Sequence, residues 1–132
     1  MLRVRLDEVG EALQACEGEV QLVVLAEQDD PVGRFLLREA ERAAARLSRA
    51  ASVVAVVEPR FEWPLAGEPW AAAVTSLPAT VCIVRGRAVP VQRPGLARAL
   101  CVPGPLPAHE IEDLARNALA GDGDGVVFDY LL

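Results

Sequence analysis

Residues 20–32 read Val-Gln-Leu-Val-Val-Leu-Ala-Glu-Gln-Asp-Asp-Pro-Val, and this stretch decides the fold. Val20 to Ala26 is a near-continuous apolar run of strand length, as expected for a strand covered on both faces inside a layered α/β sheet. Glu27-Gln28-Asp29-Asp30-Pro31 then supplies side chains that accept orphan backbone N–H bonds. The proline suits the first helical turn, because its φ is already helical. A buried strand running directly into a capped helix is half of a β-α-β unit.

The pattern continues outward from there. Val32 to Ala50 reads as a helix with Phe35, Leu36, Ala40, Ala43, Ala44 and Leu47 on one broad apolar face. Ser52 to Val57 reads as a second buried strand. Upstream, Leu2 to Arg5 suits a short strand, and Asp7 to Cys16 a helix ended near Gly18. Downstream, Pro59 to Pro69 is an irregular excursion carrying Phe61 and Trp63, and Trp70 to Val74 suits one helical turn. Thr80–Val84 and Ala88–Gln92 flank Arg85-Gly86-Arg87, a hairpin signal, with Pro90 restricting the second run to an edge. Pro94 to Pro107 reads as a loop. Ala108 to Ala120 reads as a closing helix with Ile111, Leu114, Ala115, Ala118 and Leu119 inward. Residues 1–120 are therefore expected to form one domain, and 121–132 a Gly/Asp hinge with an apolar tail. The order β-α-β-α-β, crossover, β-β-α describes an α/β sandwich.

Composition narrows the function classes. The chain has 132 residues, 52% hydrophobic, with a formal net charge of −6, which supports a packed core and argues against nucleic-acid binding. All basic residues are Arg. Without Lys there is no Schiff-base or P-loop lysine chemistry, and the absence of Lys together with abundant Ala, Val and Leu suggests a GC-rich bacterial genome. Cys16, Cys82 and Cys101 are odd in number and far apart, unlike a secreted disulfide framework. With neither an apolar leader run nor a membrane-length stretch, a cytoplasmic location is expected, with no membrane partner. No metal or other cofactor is expected. The cysteines lack zinc-ligand spacing, Asp113 stands where a zincin needs its second His after His109, and Asp122-Gly123-Asp124-Gly125 lacks most ligands of a calcium loop.

Two segments carry a family resemblance. Ala26-Glu27-Gln28-Asp29-Asp30-Pro31-Val32 resembles the thioredoxin junction in which Ala-Glu-Trp leads into Cys-Gly-Pro-Cys, and here Asp29 and Val32 stand at the two cysteine positions. Ser76-Leu77-Pro78-Ala79-Thr80, followed by Val81-Cys82-Ile83-Val84 and a Gly turn, resembles the segment with the family's cis-proline. The likeness spans roughly residues 20–120. It implies a thioredoxin-like sandwich, a mixed sheet of four to five strands flanked by helices, with a cis bond before Pro78. The buried acidic residue of the family's first core strand falls near Val23. Thiol–disulfide exchange needs a thiolate that Asp29 and Val32 cannot supply. In its length and its proline loop, Pro78-Ala79-Thr80, the chain also resembles the redox-inactive hydrogenase-maturation accessory proteins, which implies a polypeptide partner.

The candidate partner-binding residues are Asp29, Asp30, Arg34, Arg38, Arg42, Trp70, Leu77 and Pro78, and no catalytic residue is assigned. Helix capping alone accounts for the two aspartates. Their functional role would be to meet a cationic, Arg-bearing peptide. Arg34, Arg38, Arg42 and Arg46 recur every fourth residue, a solvated helix face or a strip for an acidic partner. Trp63 and Trp70 border the proline loop, where core filling competes with an apolar contact. Two other classes stay open. One is a thiol oxidoreductase working through Cys101, the expected exposed thiol, or Cys82. The other is a subunit of a larger assembly or homo-oligomer, joined through the tail and the Arg stripe.

Overall fold

The computed structural model describes residues 1–121 and the backbone of Val126–Val127. Strands β1 (Leu2–Val4), β2 (Val20–Glu27), β3 (Ala51–Glu58), β4 (Ala79–Val84), β5 (Arg87–Ala88) and β7 (Cys101–Pro103) form one mixed sheet. The sheet has one more strand than the upper expected count. β3 lies parallel between β1 and β2, and β4 runs antiparallel to β2. The outer edge of β4 is shared. Ile83 and Val84 pair with β5, and Ala79 to Val81 pair with β7.

Strand parity builds two cores. Val20, Leu22, Val24 and Ala26 of β2 face helix α2 (Pro31–Arg46) and helix α3 (Ala108–Ala120), where Leu36, Leu37, Ala40, Ile111 and Leu114 are buried. Val23 and Leu25 face helix α1 (Val9–Ala15), Phe61 and Trp70. The central strand is thus covered on both sides, as its apolar run required.

Several elements differ from expectation in bounds. The first helix is a 3₁₀ turn, Leu6–Glu8, leading into α1. α2 stops at Arg46, because Ser48 to Ala50 turn the chain into β3 and the Ala50 carbonyl accepts from Val20 N at 3.1 Å. Phe35 is not on the buried face. It stands about 100° round the helix from Leu36 and is 39% exposed. The second hairpin strand breaks at Pro90, which lacks an N–H. Beyond it, β6 (Val91–Gln92) leaves the main sheet and pairs in parallel with β8 (Val126–Val127). Two residues of the expected tail therefore pair with this short strand. The hinge residues 122–125 and the last residues, 128–132, lie outside the described residues. β7 arises in the segment expected to be loop. The β4–β5 turn has both central residues in the left-handed region, Arg85 at φ 50° and Gly86 at φ 82°, the geometry that matches strand twist in a two-residue hairpin.

Candidate functional site

The junction after β2 is held by backbone groups. Gln28 N donates to the Glu58 carbonyl (2.9 Å), and Asp30 N donates to the Glu27 carbonyl (3.2 Å). Asp30 caps α2, its carboxylate accepting from Val32 N at 3.1 Å. Asp29 is exposed and makes no hydrogen bond or ion pair among the described residues. Glu27 is committed elsewhere, accepting from Phe61 N at 2.9 Å and so tying the crossover to the strand end. Gly33 lets α2 approach β2 closely, since a Cβ there would lie 3.0 Å from Ala26 Cβ.

The proline loop lies beside this junction. Leu25 pairs with Ala79, so one further step of the antiparallel register sets Pro78 across from Ala26. The Leu77–Pro78 bond is cis, Pro78 is buried, and its carbonyl accepts from Gly104 N at 2.8 Å. Asp29, Asp30, Leu77 and Pro78 are thereby brought to one end of the sheet.

The other candidate residues fall differently. Trp70 is 4% exposed in the α1-side core, away from the solvent-facing junction. Trp63, from the same excursion, is 49% exposed instead. Arg34, Arg38 and Arg42 are exposed along α2. Arg42 pairs with Glu39 at 3.0 Å, and the stripe ends with Arg46 bonded to Glu112 of α3. Val32 is 46% exposed and, with Phe35, sets an apolar surface on the first turns of α2. Sequence reading missed this pair because it placed Phe35 on the core face and read Val32 only as the residue at a cysteine position. The signal was present for Phe35, which lies about 100° from Leu36, whereas Val32 continues the Leu36–Ala40 row and is exposed in the first turn of the helix.

Nearby, Glu58 receives both ends of the Arg5 guanidinium, at 2.9 and 2.8 Å, and Leu6 N at 2.8 Å. The hydrogen bond from Arg5 is the main cause that holds the Glu58 carboxyl below its ordinary value. These groups anchor β1 and the 3₁₀ turn to the end of β3. Among the described residues no cluster of His, Cys, Asp and Glu could hold a metal ion, and no helix is long and apolar enough to cross a membrane.

The three cysteines are free thiols. Cys82 and Cys101 belong to opposite faces of the sheet, and Cys16 is half-buried on α1's side, its thiol donating to the Ala12 carbonyl. Cys101, the expected exposed thiol, is only 8% exposed because β7 carries it into the core. Burial pushes the Cys101 thiol up, with Arg93 and the Thr80 backbone opposing more weakly. Cys82 is fully buried, and burial pushes its pKa up to about 12. Native Cys82 is therefore expected to alkylate about three orders of magnitude more slowly at pH 8 than an unfolded-chain cysteine. Timed iodoacetamide labelling with mass spectrometry checks this. The folded state holds the proton more tightly than the unfolded state. Its contribution to stability is thus complete below the ordinary thiol range and is lost as pH rises toward 12.

No protein-family model and no curated protein matches the chain. Among solved structures, it is similar to chloroplastic thioredoxin z, a crystal structure described as defining a type-specific target recognition. The match has a TM-score of 0.64 at 18% identity and covers 92% of this chain and 96% of that one. The strand order β1-β3-β2-β4-β5, the helices on both faces and this match agree. The chain has the thioredoxin-like fold.

Proposed function

We propose that this is a redox-inactive thioredoxin-like domain that binds or chaperones a polypeptide at the β2–α2 junction. The observation that carries the reading is the surface at one end of the sheet. There the acidic Asp29–Asp30 pair adjoins exposed Val32 and Phe35 and half-buried Leu77, with no sulfur among them. Carboxylates with adjoining apolar side chains suit a peptide segment carrying Arg next to apolar residues. Burial of Cys82 and Cys101 counts against either as a nucleophile. Thioredoxin z is described in terms of target recognition, which is in keeping with a protein client here. Within this reading the client is a metalloenzyme precursor of the hydrogenase type, the class that the likeness to maturation accessory proteins implies.

The test is fluorescence anisotropy with a labelled peptide of alternating Arg and Leu. Asp29→Ala with Asp30→Asn, which keeps a cap, is expected to weaken binding about tenfold, the scale of one charge-assisted hydrogen bond. Binding should fall with added salt and ignore reductant. An unchanged affinity in the double variant would sink the proposal.

A further inference from the structure

We propose that the cleft beneath α1 is a second binding site, taking a small organic carboxylate whose apolar, ring-sized body carries an N–H or O–H donor. It lies at the opposite end of β2 from the junction and does not depend on the peptide-binding reading. α1 packs over β1 and β3 and stops at Ala15. The cross-strand row Gln21, Ile83, Ala88 is therefore the floor of a cleft of about 700 Å³, walled by Leu13 and Trp70. That volume is in the range of small-molecule sites.

Two observations give the ligand its chemistry. Gln21 is 4% exposed and lines the cleft, yet the only hydrogen bond of its side chain among the described residues is from Nε2 to the Gly18 carbonyl at 2.6 Å. Its Oε1 accepts from no group among the described residues and is not sealed from solvent, so the floor offers an acceptor to a ligand N–H or O–H. The rim at the β4–β5 turn is cationic. Arg87 makes no ion pair among the described residues, and Arg85 meets only the exposed Glu19, at 3.4 Å. Glu68 stands on the far rim against Gly10, which repels an anion there and orients the carboxylate toward the arginines.

Indole-3-acetate is a suitable probe, because it joins a carboxylate, a ring and one N–H. Titration of the full chain should shift the Gln21 side-chain amide and Trp70 indole NMR signals saturably. Arg85→Ala with Arg87→Ala, both at exposed positions, should weaken binding about tenfold, as should methylation of the probe's ring nitrogen. Tryptamine, the same ring bearing a cation, should not bind saturably, and Asp29→Ala should leave the titration unchanged. The proposal is overturned if no saturable shift occurs, if the shifts map elsewhere, or if tryptamine binds as well as indole-3-acetate.

Discussion

Leu36→Ala is expected to lower the stability of the domain by about 3–4 kcal/mol in urea unfolding. Leu36 is completely buried in the core that joins α2 and α3 to the sheet. Its removal costs the transfer of the lost methyl groups and leaves a cavity. The cavity cannot collapse readily, because Gly33 already sets α2 against Ala26. A loss of that size is a large share of the roughly 5–15 kcal/mol that holds an ordinary domain. A change below about 1 kcal/mol would mean that α2 is not seated on β2 as described.

The second large effect is expected at Gly18. A Cβ there would lie 2.5 Å from the Ala50 carbonyl oxygen and 2.7 Å from that of Arg49, and both obstacles are backbone. The same Ala50 carbonyl accepts from Val20 N, the bond beside the first β2–β3 pair. Gly18→Ala must therefore push apart the start of two central strands, and a cost of about 2–3 kcal/mol is expected, at the upper end of overpacking penalties. Thermal and urea unfolding check it. A neutral or stabilising result would show that the 17–19 turn has room to move.

These two residues also mark what the sequence could disclose. Leu36 was legible, because its spacing with Ala40 and Ala43 follows the helical period. Gly18 was read only as a helix stop, since its contact with Ala50 is made across the chain. The same distinction holds for the sheet. β2 and β3 announce themselves as apolar runs, and Arg85-Gly86 announces its turn. β7 does not, because Cys101-Val102-Pro103 is short, sits among prolines and becomes a strand only by pairing with β4. The site divides likewise. The junction and proline loop were readable from local motifs. Which tryptophan is buried was not, because Trp63 and Trp70 share a composition and differ only in where the excursion folds back.

The most direct test of a sulfur-independent binding surface is photo-crosslinking capture from a bacterial lysate. The crosslinker stands at exposed Phe35, and wild type is compared with Cys82→Ala plus Cys101→Ser, each with and without reductant. A further arm adds Val32→Arg. Folding of every variant is verified by circular dichroism. The expected result is the same client in both cysteine backgrounds, insensitive to reductant and lost with Val32→Arg. A client that disappears with the cysteines, or is released by reductant, would contradict it and place thiol chemistry at the centre of this protein's function.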